Sequence, residues 1–305
     1  MKKISVIVPF FGKLDPRRFE LVLESVKNQS EKNIEFLICG GKNTTVCNNI
    51  GSHFFNVQDI LAKIKSEKIT PLQSIPHGLL YNQGIRIANG EYIYLSDSDV
   101  IFSEEYLKNL VFASEELGIP LQRPMMRRLL LQDFETFYDT YSSEGIKDAL
   151  DSLDFSQEFI VKTDNNTRVL RVFKKMENGR MKTFVASDED FREYSSSPKN
   201  KGSEPKFFNQ ERHCGAVFAK KMHLEDVGGC CEGFIGWGCW DADLQWKLRE
   251  TYGMSYIPGE VIHLDHSKEY FNSDEWRIDR EFQKERRAKG VIQCIKEDKE
   301  VYTQG

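Results

Sequence analysis

The sequence lacks any apolar run of about 18 residues, any C-x-x-C pair and any strong excess of charge, and each absence removes a class of function. Without a long apolar run there is no transmembrane helix to expect. A net charge of −5 and a pI near 5.8 give no global attraction to nucleic acid or anionic lipid, so partners must be recognised at a local site. The seven cysteines, Cys39, Cys47, Cys214, Cys230, Cys231, Cys239 and Cys294, are an odd set. The adjacent Cys230-Cys231 suits neither a disulfide framework nor a zinc ribbon, which fits a reducing compartment. Met1-Lys2-Lys3 runs straight into a short segment containing Pro9, too brief for a signal peptide. The expectation is a cytoplasmic protein, soluble or at most peripheral. What is present, 40% hydrophobic and 29% charged residues over 305 positions, describes a globular chain long enough for one large α/β domain or two small ones.

The most informative stretch is Glu91-Tyr92-Ile93-Tyr94-Leu95-Ser96-Asp97-Ser98-Asp99-Val100. A β-favouring run that ends in two carboxylates delivers both to the carboxyl edge of a strand, where open α/β sheets bind ligands. In extended backbone residues i and i+2 share a side, so Asp97 and Asp99 can address one target, with Ser98 leaving the gap open. A divalent cation, alone or with the phosphates it carries, is the natural target; a solvated turn is the plain alternative.

Along the chain, Ile4 to Val8 reads as a buried parallel strand ending in Pro9-Phe10-Phe11, followed by a helix from Pro16 through Val26 and a second strand, Ile34 to Cys39, closed by Gly40-Gly41. This βαβ opening implies a parallel sheet with its loops gathered at one edge. A short helix is expected over 57–64, and another from Gly78 to Gly90, with Gly90 just past its end. A further helix is expected from Glu104 to Leu117, with Ser103 as N-cap. From Met125 to Lys206 the character changes: helices are expected over Arg127 to Tyr141 and Ser143 to Leu153, then alternating segments and a polar tract over 195–203. This region reads as an insertion, either a lid or a linker. Chemistry resumes with a strand over Arg212 to Ala219 and a Gly- and Trp-rich loop, after which Asp241 starts an amphipathic helix. A strand ending in His263 and His266 follows, and a charged helix from Asp274 to Lys299 closes the chain, its charges reading as a solvated face with a homodimer or membrane contact as the lesser alternative.

Four separated segments now match one pattern. Val6-Ile7-Val8-Pro9, Ser25-Val26-Lys27-Asn28-Gln29, the segment Asn82 to Ile93, and Asp97-Ser98-Asp99 resemble, in order, the nucleotide-sugar-dependent glycosyltransferases of the GT-A fold, family 2. Gly236-Trp237-Gly238-Cys239-Trp240-Asp241-Ala242-Asp243-Leu244 is similar to the Gly-Trp-Gly-x-Glu-Asp-x-Asp-Leu segment of galactosyltransferase and N-acetylgalactosaminyltransferase relatives. The matches cover residues 4–120 and about 210–266. The resemblance implies an α/β fold with a mostly parallel, Rossmann-like central sheet flanked by helices and an inserted subdomain. It divides the chain into a nucleotide-sugar half (1–120), an insertion (121–206), an acceptor and catalytic half (207–268) and a charged C-terminal segment (269–305).

The implied activity is inverting, metal-dependent transfer of a hexose or N-acetylhexosamine from a nucleoside diphosphate sugar, UDP-linked by preference, to a glycan, lipid-linked glycan or peptide acceptor, as in polysaccharide biosynthesis. Asp99, assisted by Asp97 and completed by His263 or His266, would hold Mn²⁺ or Mg²⁺ against the diphosphate. Pro9, Phe10, Asn82, Ser98 and Trp237 would line the donor side. Asp241 would be the general base, its alternative being a helix N-cap, and Asp243 would support the site or meet acceptor hydroxyls. Trp237 and Trp240 either stack on sugar or fill the loop core.

Two departures bear on the donor. Gly40-Gly41 stands where the family carries an Asp pair, one of which contacts the base, and Tyr81 replaces an arginine near the diphosphate. Trp240 also replaces the usual Glu before the base. The competing expectations are a nucleotidyltransferase, for which Phe10-Phe11-Gly12-Lys13 is a poor phosphate loop, and a degenerate sugar-nucleotide-binding subunit without turnover.

Overall fold

The computed structural model describes residues 2–9, 15–40, 43–45, 77–129, 133–153, 159–163, 166–170, 172–177, 180–185, 213–236, 238–266 and 273–304. The helix expected over 57–64 and the polar tract over 195–203 lie outside them.

The apolar run at the start forms β1 (Ile4–Pro9), in which every residue is buried. It pairs in parallel with β2 (Ile34–Gly40), reached through α1 (Pro16–Lys27). Asp15 caps α1 by accepting the Arg17 N–H at 3.0 Å, and Pro16 occupies the first turn, where its missing N–H costs nothing. A short β3 (Asn43–Thr45) turns back antiparallel to β2. Next come α2 (His77–Ile87) and β4 (Tyr92–Leu95), parallel to β1 on its other side. Helix α2 stops three residues short of Gly90, whose N–H is instead taken by Ser5 Oγ at 2.9 Å.

After β4 come β5 (Val100–Phe102) and α3 (Tyr106–Leu117). Ser103 does not cap α3. Gln29, at the end of α1, does: its Oε1 accepts the Leu107 N–H at 3.0 Å while its amide donates to the Ser103 carbonyl at 2.7 Å. A side chain 78 residues away does the work of a local cap. Then come β6 (Leu121–Gln122) and β7 (Met125–Leu129), so the segment from Met125 begins as a strand; the helical pieces that follow are α4 (Phe134–Glu144) and α5 (Ile146–Ser152). Two hairpins are next, β8 (Phe159–Thr163) with β9 (Asn166–Leu170) and β10 (Val172–Glu177) with β11 (Arg180–Val185).

The chain returns to the main sheet as β12 (Val217–Lys220), antiparallel to β4 and shorter than the strand expected from Arg212. It continues through α6 (Lys221–Asp226), α7 (Trp240–Tyr252), β13 (Ser255–Tyr256) and β14 (Glu260–Leu264). The seven-stranded sheet runs β13-β6-β12-β4-β1-β2-β3. Five strands point one way and only β12 and β3 oppose them, so the expected mostly parallel α/β sheet flanked by helices is what forms. Alternation along the strands splits the core. Val6, Val8, Tyr92 and Tyr94 pack on one face with α1 and α3; Ile7, Ile93 and Leu95 pack on the other with α2 and α7.

The charged C-terminal segment is two helices, α8 (Ser273–Lys289) and α9 (Val291–Gln304), broken at Gly290, whose φ of +89° suits glycine. Most of the charged side chains of α8, among them Asp274, Arg277, Arg280, Glu281, Lys284, Glu285 and Lys289, lie on an exposed face as expected, with three exceptions in the two helices. Asp279, Arg286 and Asp298 are buried against the body of the protein.

Candidate functional site

Strand β4 brings the chain to the carboxyl edge of the sheet and ends at Leu95; Ser98 and Asp99 form a turn that leads into β5. Past that turn the two carboxylates still feel each other's charge but take different partners. The extended geometry that would aim both at one target does not persist past the strand, and Asp97 and Asp99 meet different partners.

Asp99 meets the second, three-stranded sheet. Its order is β5-β14-β7, with His263 opposite Val100 and the Leu264 N–H donating to the Asp99 carbonyl at 2.8 Å. This pairing sets two imidazoles beside one carboxylate: Asp99 Oδ2 lies 2.9 Å from His266 Nε2 and 3.4 Å from His263 Nε2. Two ligands bound at right angles, each about 2.1 Å from an ion, stand about 3 Å apart, so these spacings suit a shared cation. His263 Nδ1 faces Asp265 Oδ1 at 3.2 Å, a carboxylate–imidazole arrangement that leaves Nε2 to serve as ligand. Buried Arg18 on α1 anchors the loop between the histidines by donating to the Asp265 carbonyl at 2.8 and 3.1 Å. The other Asp99 oxygen, Oδ1, is buried with no hydrogen-bond partner among the described residues. A buried orphan acceptor is costly unless something occupies it, and a cation that Asp99 bound through both oxygens beside His263 and His266 would occupy it. Both histidines named from sequence therefore reach Asp99. Burial pushes the Asp99 carboxyl up, but the charge of His263 and the hydrogen bond from His266 bring it below its usual range.

Asp97, expected to assist the metal, is engaged elsewhere. Tyr81 Oη on α2 lies 3.1 Å from Oδ1, and His213 Nε2 lies 3.0 Å from Oδ2. Burial raises its pKa, but the facing His213 outweighs that and holds the carboxyl low; His213, whose own burial disfavours charge, is raised by Asp97 in turn. The antiparallel register Val217↔Leu95 runs on past the strand ends to set Gly215 beside Asp97. A Cβ on Gly215 would stand 3.0 Å from both Asp97 oxygens. Neither Tyr81 nor His213 is evident as a site residue from sequence. Tyr81 reads as a lost arginine and His213 as one more strand residue, because the pairing of β12 with β4 joins segments more than 100 residues apart.

Asp241 lies in the first turn of α7, and its side chain is not the N-cap: that position is Cys239, at φ +64°. Burial raises the Asp241 pKa; the Ala242 N–H and the Arg123 guanidinium oppose the rise, and the Asp97 charge adds to it. Arg123 is at φ +54°, and Arg123 and Cys239 are the only non-glycine residues at positive φ among the described residues. Both strained positions flank Asp241, and backbone strain of this kind collects at functional sites. Arg123 donates to Gln245 Oε1 at 2.8 Å, and Gln245 donates to the Cys214 carbonyl at 2.8 Å, which ties α7 to the His213 segment. Helix α8 braces the same region from outside. Asp279 accepts the N–H groups of Ile235 and Gly236 at 3.0 and 2.8 Å, and Arg287 donates to the Ala242 carbonyl at 3.0 Å.

Other expected site residues fare differently. Pro9 ends β1, buried; Ser98 is half-buried in the turn between the carboxylates. Asn82 is drawn away from the donor side: its amide donates to the Cys230 carbonyl and to Glu232, and its oxygen accepts the Cys230 N–H, all within 2.9 Å. Asp243 has both oxygens on Arg286, at 3.0 and 2.9 Å, and is fully buried, so none is left for an acceptor hydroxyl. Trp240 is core, stacked on His77 at 5.6 Å and against Tyr81 at 4.6 Å. Phe10 and Trp237 lie outside the described residues, as does Gly41.

No helix among the described residues is long and apolar enough to cross a membrane. No protein-family model matches the chain, and no curated protein matches it. Among solved structures it is similar to a crystal structure of residues 1–349 of TarS from S. aureus, at 15% identity and a TM-score of 0.44, over 86% of this chain and 60% of that one. It is also similar to the same TarS segment in complex with UDP, at 14% identity and a TM-score of 0.45, over 92% of this chain and 64% of that one. The chain spans less than two thirds of the length of either.

Proposed function

We propose that this chain is an inverting, metal-dependent glycosyltransferase that moves a hexose or N-acetylhexosamine from a nucleoside diphosphate sugar, UDP-linked by preference, to a hydroxyl of a glycan, lipid-linked glycan or peptide. One observation carries the reading. At a single sheet edge, a one-carboxylate, two-imidazole set with an orphaned buried oxygen stands with a separate buried carboxylate whose pKa is raised.

Asp99, His263 and His266 would hold Mn²⁺, or less favourably Mg²⁺, which when bound supplies positive charge to a departing nucleoside diphosphate. Asp241 performs the other half. Its carboxylate accepts the proton of the acceptor hydroxyl as that oxygen forms a bond to the anomeric carbon and the bond to the diphosphate breaks on the opposite face. Burial serves that role, because a carboxylate with a raised pKa is the stronger base. The Gly-Trp-Gly segment and Asp241 follow the galactosyltransferase and N-acetylgalactosaminyltransferase pattern, which supports the choice of sugar class.

The test is release of nucleoside diphosphate from a panel of nucleotide sugars, with and without acceptor. Turnover that EDTA abolishes and Mn²⁺ restores is expected; turnover of a nucleoside triphosphate with pyrophosphate release, or turnover indifferent to EDTA, would contradict it.

A further inference from the structure

Asp97 and Asp99 stand one residue apart, each facing histidine, and their oxygens have opposite fates. Asp97 has a partner on each oxygen, Tyr81 Oη at 3.1 Å and His213 Nε2 at 3.0 Å. Asp99 has both imidazoles on Oδ2 and, among the described residues, no partner on buried Oδ1. His213 is 4% exposed, its backbone N–H is fixed on the Pro124 carbonyl at 3.0 Å, and its Nδ1 is buried without a hydrogen-bond partner among the described residues. The one polar contact that orients its ring among the described residues is therefore Asp97. Gly215 completes the cradle, since a Cβ there would press on both Asp97 oxygens at 3.0 Å.

We propose that His213 is a positioning residue that sets the metal preference of the site: by holding Asp97 away, it leaves one carboxylate and two imidazoles as the ligands among the described residues. Such a set suits a borderline cation such as Mn²⁺, Co²⁺ or Zn²⁺ and suits Mg²⁺ and Ca²⁺ poorly, because those ions call for oxygen ligands. Release of Asp97 would add a second carboxylate and move the site toward the hard cations. Tyr81 acts in the same direction from the other oxygen. The inference rests on the metal reading of Asp99, His263 and His266 but not on sugar transfer.

The experiment is calorimetric titration of the full chain with Mn²⁺ alone and with Mg²⁺ alone, no nucleotide present, alongside pulsed EPR of bound Mn²⁺ to count coordinated nitrogens. Wild type is expected to bind Mn²⁺ the more tightly, with two imidazole nitrogens. In His213→Ala the ratio of Mn²⁺ to Mg²⁺ affinity is expected to narrow by about 10-fold or more, the scale of lost ligand support at metal sites. His213→Gln, whose amide can still donate to Asp97, keeps the wild-type ratio, and adding Asp97→Ala to His213→Ala restores it. Asp97→Ala alone leaves Mn²⁺ affinity within about threefold of wild type, well inside that scale, and carries the test if His213→Ala fails to fold. A folded His213→Ala with the wild-type ratio, or a large loss of Mn²⁺ affinity in Asp97→Ala, would overturn the proposal while the metal site stood. A wild-type protein that binds no Mn²⁺ at all would overturn the metal reading with it.

Discussion

Asp241 and Asp243 lie two residues apart on one helix and have opposite lives. A helix turns about 100° per residue, so positions two apart face nearly opposite ways. Asp241 faces the sheet edge, without an ion pair among the described residues and with its pKa raised by burial. Asp243 faces inward, where Arg286 grips both its oxygens. Arg286 also holds Asp298 at 2.7 and 3.1 Å, and Asp298 pairs with Lys247, which donates to the Gly229 carbonyl at 2.8 Å. The inward cluster is electrically balanced, with two cations, two carboxylates and a partner for each carboxylate oxygen. The edge cluster is unfinished, with the orphaned oxygen of Asp99 and the orphaned nitrogen of His213. Satisfied polar networks fix a structure, whereas each unsatisfied buried group calls for an explanation, a bound ion or water among them.

The largest expected effect separates the two aspartates by function. Asp241→Asn should lower sugar transfer by about 10²- to 10⁴-fold, the usual worth of a general base, with donor binding retained; transfer at the wild-type rate would remove Asp241 from the chemistry. The inward cluster should instead report in stability. Arg286→Met leaves two buried carboxylates without their guanidinium and should cost about 3–5 kcal/mol, read from the urea midpoint. If Arg286→Met unfolded like wild type, the cluster would be ornamental. A smaller effect is expected at the cradle: Gly215→Ala presses a methyl to 3.0 Å from both Asp97 oxygens and should cost under about 1 kcal/mol, read from the urea midpoint, as the carboxylate gives way by a few tenths of an ångström.

The smallest effect concerns pH. Because burial raises the Asp241 pKa, the folded protein holds that proton more tightly than the unfolded chain. The contribution of this group to stability is therefore greatest below the ordinary Asp value of about 3.9 and is lost as pH rises through the raised folded value. Asp241→Asn should raise Tm at neutral pH, and the difference should vanish in acid. The acid limb of the activity profile should fall at a pH above that ordinary value.

How much of this was legible in the sequence follows from range. The β-branched runs of β1 and β2 and the strand into Asp97 announce themselves locally, and so does the mostly parallel sheet they build. The histidines came through resemblance, and the structure brings both to Asp99. What stayed hidden depends on distant pairing. Gln29 caps a helix 78 residues on, His213 meets Asp97 only once β12 pairs with β4, and the turn at Ser98-Asp99 gives different partners to two carboxylates that an extended chain would have aimed together. The charged residues of α8 read as solvated, which holds for most of them but not for Arg286, because no local pattern shows that it has two buried carboxylates waiting for it. Asn82 fits a donor-site pattern in sequence, yet its amide is occupied by the 230–232 loop.

The most direct measurement of the division of labour is a thermal-shift series of wild type, Asp99→Asn and Asp241→Asn with nucleoside diphosphates and their sugars, each with and without Mn²⁺. A ligand that binds only the folded state at 100 times its Kd stabilises by about 2.7 kcal/mol, which such a series resolves. The expected result is a Mn²⁺-dependent shift, with a uridine nucleotide foremost, that is lost in Asp99→Asn and kept in Asp241→Asn. An equal shift without metal, or one that survives in Asp99→Asn, would contradict the assignment of Asp99 to the leaving diphosphate and Asp241 to the incoming hydroxyl.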